Sequence, residues 1–314
     1  MGSYLVRRFL LMALTLFGMS VLIFVMLRLV PGNIADILVD ASGSDPKEKA
    51  KIARELGIDR PIAEQYVTWV TGLAHGDLGY AYVSERPAIE EIAPRIPISA
   101  KLAGMAVLIS VLLGVPFGVI SAVRQNSDLD YFLRVLSLSG LSLPSFWLGL
   151  LVLMASVHWF GTIPIYDSNP HGFLQDVAML GLPALVVGFR SSALIMRLTR
   201  SSMLEVLRQD YVRTARSKGA SNNSVNYDHA LRNALLPVVT VIGIEAAFLV
   251  GGLIVTETVF NIPGVARFLV EAILWRDYPI VQNLVMLIAF VVVLVNFLVD
   301  MTYMVLDPRI KFAE

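Results

Sequence analysis

Two charged side chains interrupt long apolar stretches of this sequence, and both could do chemistry inside a membrane. Arg190 lies within residues 177–199, and Glu245 lies within residues 234–256. At about 1.5 Å per helical residue, both would lie near the middle of a bilayer. Charges at that depth are costly and usually face a pathway or one another. We therefore expect counter-charges for a solute in a translocation pathway or, as the alternative, a structural ion pair.

Other candidate chemistry is weaker or absent from the sequence. Ser139 and Ser142 recur near Pro144 and could line a pathway, although serines also commonly satisfy helix carbonyls. We find no nucleophile–base pair and no paired carboxylates that would suggest hydrolysis. None of the six lysines follows a glycine, so the Gly-Lys-Ser/Thr motif of ATP-binding loops is missing. No metal site is expected, because four histidines show no ligand spacing: His75, His158, His171 and His229.

The composition indicates a membrane protein. The chain has 314 residues, of which 56% are apolar and 16% charged, with 25 basic and 25 acidic side chains and no cysteine. Ordinary soluble domains are about 45–50% apolar and about 25% charged. The missing cysteines exclude a disulfide scaffold and a zinc–thiolate domain. The zero net charge gives no overall attraction to nucleic acid, so no nucleic-acid partner is expected.

Six apolar stretches are long enough to cross a bilayer, which needs roughly 20 helical residues. The sequence thus predicts an all-α integral membrane protein. The first span belongs to a segment over residues 1–30. The others cover about 102–123, 135–157, 177–199, 234–256 and 278–303, with Pro116, Pro144 and Pro183 inside them.

The distribution of basic residues predicts the orientation, because short cytoplasmic loops carry an excess of Lys and Arg. Arg7 and Arg8 precede the first span, Arg309 and Lys311 follow the last, and residues 158–176 contain neither Lys nor Arg. We therefore expect both termini in the cytoplasm. As an alternative, the first span could be a signal peptide. Its apolar stretch is too long for one, and no Ala-x-Ala cleavage site follows.

The extracytoplasmic segment 31–97 is predicted to be a small helical subdomain. A first helix begins at Asp45-Pro46 and stops at Gly57, and a second carries its apolar residues from Ile62 to Leu73 on one face. Eleven acidic residues stand against seven basic ones. The segment is either a lid packed on the membrane domain or a docking surface for an external partner. The docking candidates are Trp69, His75 and Asp77.

The cytoplasmic segment 200–233 is too long for a plain turn between spans. Residues 203–218 are predicted to form a helix that Gly219 ends, and Ser221 or Asn222 can cap a second short helix that reaches Arg232. A helix–glycine–helix elbow outside the membrane is suited to transmit force to a soluble partner. The alternative is a solvated basic loop.

Several motifs resemble the ABC-importer permeases, most closely the dipeptide/oligopeptide class. The similarity extends over nearly the whole chain, and the cytoplasmic loop carries its most specific part. The matching segments are Leu29–Gly32, Gly76–Gly79, Thr199–Leu207, Gln209–Gly219, His229–Thr240, Thr256–Phe260, Pro263-Gly264, Arg276–Pro279, and Asn296, Asp300 and Asp307–Ile310.

The resemblance implies the six-helix type I importer permease fold and a non-catalytic subunit in the bacterial cytoplasmic membrane. It also implies two cytoplasmic ATPases that hold ATP and Mg²⁺, a second homologous permease and an extracytoplasmic solute-binding protein. This chain would bind no cofactor itself. The elbow would dock on an ATPase through Glu205, Asp210, Tyr211, Arg213, Thr214, Ala215, Arg216, Lys218 and Gly219.

The sequence leaves the solute open. Besides di- and oligopeptides, relatives of this class carry glutathione, nickel or oligosaccharides. A self-contained secondary transporter is an alternative from another class, but it would require inverted repeats or broken helices, and no convincing internal repeat is visible. An integral-membrane enzyme is disfavoured because the sequence offers no catalytic constellation.

Overall fold

The structure is a computed structural model that describes residues 2–29, 57, 59–161, 166–167 and 172–306. Apart from a single bridge between Tyr80 and Pro87, the regular structure in these ranges is helical. The helix predicted from Asp45 to residue 56 and the basic tail at residues 309–311 lie outside the described residues.

The α-helices are numbered in chain order. They are α1 (Gly2–Leu29), α2 (Ile62–Ala74), α3 (Ala88–Ile92), α4 (Ile96–Val123), α5 (Asp128–Ser142), α6 (Ser145–Phe160), α7 (Phe173–Val206), α8 (Asp210–Ser217), α9 (Arg232–Val259), α10 (Val265–Leu274) and α11 (Tyr278–Leu306), with a 3₁₀ turn at Ala93–Arg95 and a π segment at Ser224–Leu231.

Five described helical segments are long and apolar enough to cross a membrane, and a sixth span results if α5 and α6 together count as one. The segments are Val6–Leu29, Ala88–Val123, Phe173–Val206, Ser224–Leu249 and Tyr278–Thr302. The all-α membrane architecture predicted from the sequence is therefore confirmed.

The third predicted span, over residues 135–157, is not one straight helix. It breaks between α5 and α6, whose axes differ by 108°. Pro144 has no N–H to continue the helix, and it restricts the residue before it to extended backbone. Leu143 accordingly has φ −79° and ψ 130°. Pro116 and Pro183, by contrast, are accommodated inside α4 and α7.

One compact unit combines residues 1–98 with residues 263–294. Phe24 of α1 meets two aromatic rings of α2, with centroid distances of 5.2 Å to Tyr66 and 6.0 Å to Trp69. A second core joins α3, α10 and α11 through Ala88, Ile92, Phe268, Leu269 and Leu284.

The other unit combines residues 99–262 with residues 295–314. Here α4 and α7 pack at very short range through glycines. A Cβ atom on Gly118 would lie 2.5 Å from the Cβ of Thr199, and one on Gly188 would lie 2.7 Å from the carbonyl oxygen of Ala106. Only glycine lets two backbones approach so closely, which is a common way to pack helices in membranes.

The elbow over residues 200–233 differs from its prediction in two places. The helix expected over residues 203–218 is divided by a turn, because α7 ends at Val206 and α8 begins at Asp210 after an extended Gln209. The second short helix is not separate either: the π segment runs directly into α9. The backbone N–H of Ser224 donates to Ser221 Oγ at 3.2 Å, which agrees with the predicted cap at Ser221.

Candidate functional site

Helix α8 ends as the sequence predicts, with Gly219 in the left-handed region at φ 85°. The N–H of Gly219 donates to the carbonyl of Arg216 at 3.0 Å, and the N–H of Ala220 donates to the carbonyl of Ala215 at 3.2 Å. This pair of bonds is the Schellman motif, which satisfies the last carbonyls of a helix. The turn after α8 is therefore fixed by its own hydrogen bonds.

One side of α8 packs on its own chain, and the other is exposed. Val212 is 1% exposed, and Ala215 is half-buried beside it. The remaining predicted coupling residues are exposed. They are Glu205 at the end of α7 and Asp210, Tyr211, Arg213, Thr214, Arg216, Lys218 and Gly219 on or next to α8.

The base of the elbow is an apolar cluster formed by residues of four neighbouring segments. Val119 and Ala122 of α4 pack with Met203 of α7, Ala230 of the π segment and Ala234 of α9. Met203 and Ala230 have no exposed surface. Because these side chains are packed together, a displacement of α8 would also act on the helices that form this cluster. We call the cluster the apolar junction.

Arg190 lies near the middle of α7, and its side chain is exposed. Arg190 belongs to an exposed stripe along one face of the C-terminal half of α7. The stripe consists of Arg190, Leu194, Arg197, Ser201 and Glu205. These positions are three or four residues apart, the spacing of one helix face. We call them the α7 stripe.

Glu245 of α9 is half-exposed. Among the residues that the structure describes, neither Glu245 nor Arg190 has a hydrogen-bond or ion-pair partner. The geometry therefore does not support a structural pair between them.

The serine candidates separate from one another. Ser139 Oγ donates to the carbonyl of Leu136 at 2.7 Å within its own helix, and Ser142 is exposed at the end of α5. A third serine, Ser137, is buried and donates to the carbonyl of Ala193 at 2.9 Å, which joins α5 to α7. Ser137 and Ser139 therefore bond helix carbonyls, and of the three serines Ser142 is the most exposed.

Sequence reasoning missed the most completely bonded charge in this unit, Asp130 of α5, which has no exposed surface. Arg200 donates to its two carboxylate oxygens from Nε and Nη2, each at 2.9 Å. Ser121 Oγ and the backbone N–H of Asn126, at 2.9 Å, donate to it as well. Asp130 thereby ties α4, α5 and α7 together. Its position three residues after the helix cap Ser127 was the only available signal.

Two further buried carboxylates join helices and were not predicted. Ser99 Oγ of α4 donates to Glu257 Oε1 of α9 at 2.6 Å, and Glu257 has no exposed surface. Lys101 Nζ lies 2.8 Å from Asp176 Oδ2, which links α4 to the first turn of α7. Both pairs bridge helices that are distant in sequence.

The three docking candidates of the extracytoplasmic segment do not form one surface. Trp69 is half-buried against Phe24, and its Nε1 donates to Asn283 Oδ1 at 3.2 Å. His75 and Asp77 are exposed at the end of α2, where Asp77 Oδ1 accepts the N–H of Gly79 at 2.9 Å. Trp69 therefore holds α2 in place, and only His75 and Asp77 remain available to a partner.

A buried carboxylate fixes the loop that follows α2. Asp277 is 2% exposed and accepts the backbone N–H of Val83 at 3.1 Å. Burial raises the pKa of Asp277 above its ordinary value. Burial, together with the nearby Asp277, also raises the pKa of Tyr82 to about 12. The loop is thus held by backbone bonds to a desolvated acid.

No group of three or more His, Cys, Asp or Glu residues in the described ranges could hold a metal ion. The described residues form a set of long apolar helices, one of which carries an exposed Arg190 near its middle, and an exposed helix with several cationic side chains. These features are those of a multi-span membrane protein.

Comparison with known proteins gives the family. Residues 114–312 match the family model described as "Binding-protein-dependent transport system inner membrane component", and residues 1–103 match its N-terminal companion. The chain is 40% identical to the dipeptide transport system permease protein DppB of Escherichia coli K12, with 100% of both chains covered. It is 39% identical to the di/tripeptide transport system permease protein DppB of Pseudomonas aeruginosa UCBPP-PA14, with 99% of both covered.

A solved structure supports the same fold. An inward-facing form of the MetNI methionine ABC transporter aligns with a TM-score of 0.59 at 16% identity, and the alignment covers 70% of this chain and 98% of the other. This chain belongs to the family of inner-membrane permease components of binding-protein-dependent ABC transporters, within its peptide-permease branch. It is a multi-pass inner-membrane protein with the fold of a type I ABC importer permease.

Proposed function

We propose that this chain is one permease subunit of an ATP-driven importer that carries di- or oligopeptides across the bacterial cytoplasmic membrane. The relatives named dipeptide and di/tripeptide permeases, similar over their full lengths, support the solute class. The observation that carries the mechanism is the exposed cationic face of α8, fixed by the Schellman turn and packed on the apolar junction.

Helix α8 is the docking element for a cytoplasmic ATPase. Arg213, Arg216 and Lys218 are exposed and can pair with acidic groups of the partner, while the buried Val212 holds the helix to its own chain. Two ATPase subunits bind ATP and Mg²⁺ and hydrolyse the nucleotide, since this chain has no ATP-binding loop of its own. The permease then converts their movement into a change of access.

The α7 stripe lines the inner half of the translocation pathway. Exposing Arg190 to lipid at that depth is costly, so its face requires either protein or water as its neighbour. Arg190 is a counter-charge for the carboxylate of a peptide, and Glu245 is one for its ammonium group. A second, homologous permease subunit completes the pathway, because six spans are few to enclose one.

The outer face receives solute from a binding protein, and both termini lie in the cytoplasm. Exposed His75 and Asp77 are the docking positions that remain after Trp69 is assigned to packing. The acidic excess of residues 31–97 favours a partner with a basic contact surface.

The test is uptake of a labelled dipeptide by proteoliposomes that contain both permeases, both ATPases and a saturating amount of loaded binding protein. With a saturating amount of loaded binding protein, the uptake rate does not depend on how tightly that protein binds the solute. Arg190→Gln should lower the uptake rate at least tenfold, Arg190→Lys should restore part of it, and Glu245→Gln should lower it less. Arg124→Gln, at an exposed helix end, is the matched control.

Solute analogues separate the two roles. Arg190→Gln should erase the preference for a free dipeptide over its C-terminal amide, and Glu245→Gln should erase the preference over its N-acetyl form. Unchanged uptake and unchanged preference in both variants would refute the pathway assignment. If the wild-type protein takes up no peptide at all, the proposed solute class is wrong.

A further inference from the structure

Three polar groups form a hydrogen-bonded chain across the base of the elbow. Asn233 Nδ2 donates to Tyr211 Oη at 2.9 Å and to the backbone carbonyl of His229 at 3.0 Å. The amide group carries two hydrogens, so both bonds can form at once. Tyr211 belongs to α8, His229 to the π segment and Asn233 to the first turn of α9. We call this chain of bonds the latch.

The latch provides a second route between α8 and α9. Along the backbone, α8 reaches α9 only through Gly219 and the whole π segment. The Tyr211–Asn233 bond bypasses that route and connects residues that are 22 positions apart. Any tilt of α8 therefore acts directly on the start of α9.

The π segment is the part of this connection that can change. Runs of π-helix are rare, usually limited to one turn, and frequent at functional sites. Here the segment extends over eight residues, from Ser224 to Leu231. Conversion of one π turn to α-helix changes the register by one residue, a rotation of roughly 100° between the two flanks. Asn233, bonded to the carbonyl of His229, lies at the end of this segment.

The register of α9 matters for the pathway because Glu245 lies on the same helix, about 18 Å beyond Asn233. We propose that Asn233 is a positioning residue that transmits the movement of α8 to α9, and that the π segment Ser224–Leu231 is the element that switches. The proposal rests on the proposed function only in assigning the movement of α8 to the ATPase. It is independent of which solute is carried.

Tyr211 and Asn233 are both exposed, so removal of their bond should leave the fold intact. Tyr211→Phe deletes one hydroxyl, and Asn233→Ala deletes the amide. Tyr227→Phe is the matched control, because the exposed Tyr227 hydroxyl has no bonding partner within the described residues. Asn233→Asp can still accept a bond from the Tyr211 hydroxyl but cannot donate to His229, so it tests the two halves separately.

The deciding measurement is amide hydrogen exchange over residues 224–245 in the complete transporter, compared between the nucleotide-free and ATP-bound states. In the wild-type and Tyr227→Phe proteins we expect ATP to change the exchange of this segment. In Tyr211→Phe and Asn233→Ala that change should shrink at least threefold, and the double variant should lose no more than either single variant. If Tyr211→Phe keeps the wild-type change, the proposal is wrong.

A second measurement separates transmission from mere stabilisation. In proteoliposomes, the number of ATP molecules hydrolysed per solute imported should rise about fivefold in Asn233→Ala, with ATPase activity retained. An unchanged ratio would overturn the role of Asn233 in transmission. The hydrogen-exchange measurement does not depend on solute uptake. Failure of the wild-type protein to take up peptide would therefore refute the proposed function without affecting the test of the latch.

Discussion

Arg190 and Arg200 lie on the same helix, and the structure gives them opposite surroundings. Arg200 donates two hydrogen bonds of 2.9 Å to the fully buried carboxylate of Asp130. Arg190 is exposed, and no partner for it lies within the described part of the chain. Both guanidinium groups are costly in an apolar setting, but only one is compensated from within. The contrast separates an arginine that holds helices together from one whose charge is exposed.

The largest expected effect comes from removing Asp130, the buried acid that pairs with Arg200. Asp130→Ala leaves Arg200 without its acid, and also Arg134, whose Nε lies 3.5 Å from Asp130 Oδ1. Loss of one partner from a buried pair costs about 3–5 kcal/mol. We expect much less folded protein in the membrane and a much lower unfolding temperature in detergent. Asp128→Ala removes an exposed acid two residues earlier on the same helix and is the control. Similar unfolding temperatures for both variants would contradict the role assigned to Asp130.

The two arginines can be compared by the same substitution. Arg200→Gln should lower the free energy of unfolding by about 2–3 kcal/mol, because a charge-assisted fork is lost and Asp130 stays buried. Arg190→Gln should change it by less than about 0.5 kcal/mol, as is usual for exposed positions. Thermal unfolding of both purified variants measures the difference. Equal destabilisation by the two substitutions would contradict the distinction between the paired Arg200 and the exposed Arg190.

A smaller effect is expected at the turn after α8. Gly219→Ala places a side chain at φ 85°, which costs about 1–2 kcal/mol for an L-residue, although no atom lies within 4 Å of the new Cβ. The last turn of α8 should fray, and peptide uptake should fall several-fold while the unfolding temperature changes little. Gly104→Ala, which meets no atom and has no positive φ, is the control. Full uptake by Gly219→Ala would mean that the geometry of this turn is not needed.

The smallest effect is a pH dependence of stability that arises from the buried Asp277. Because burial raises the pKa of Asp277, the folded state binds this proton more tightly than the unfolded state. Stability should therefore fall as the pH rises from the ordinary carboxyl pKa, about 4, to the raised value, and then level off. Asp277→Asn, which does not titrate, should lack this decline. The check is the unfolding temperature of both proteins between pH 4 and 8, and identical profiles would contradict it.

The sequence predicted the parts of this fold that depend on local composition. Apolar stretches of spanning length became helices, because bilayer thickness sets their length. Gly219 was recognisable as a helix end because only glycine adopts its backbone conformation without strain. The family resemblance, which is confirmed, rested on motifs concentrated in the elbow and its flanks.

What the sequence missed depends on contacts between distant residues. Asp130 lies outside every apolar stretch, and its partner Arg200 is 70 positions away, so nothing local marked it as buried. A proline in a span can bend a helix or end it, depending on neighbours that only the fold supplies. At Pro144 the helix ended, whereas at Pro116 and Pro183 it continued. The helical pattern of α2 indicated an apolar face but not that Trp69 would use it against Phe24.

The glycine contacts between α4 and α7 have a mechanical consequence. Helix α7 has 34 residues, a rod of roughly 51 Å, and α4 approaches its backbone both at Gly188 and, opposite Gly118, at Met196. These two contacts are eight residues apart, roughly 12 Å along the helix, so α7 cannot pivot about either one alone. Helices α4 and α7 should therefore tilt together as one rigid pair. One end of α7 carries Asp176 and the other leads into α8, so a displacement of α8 would move both helices.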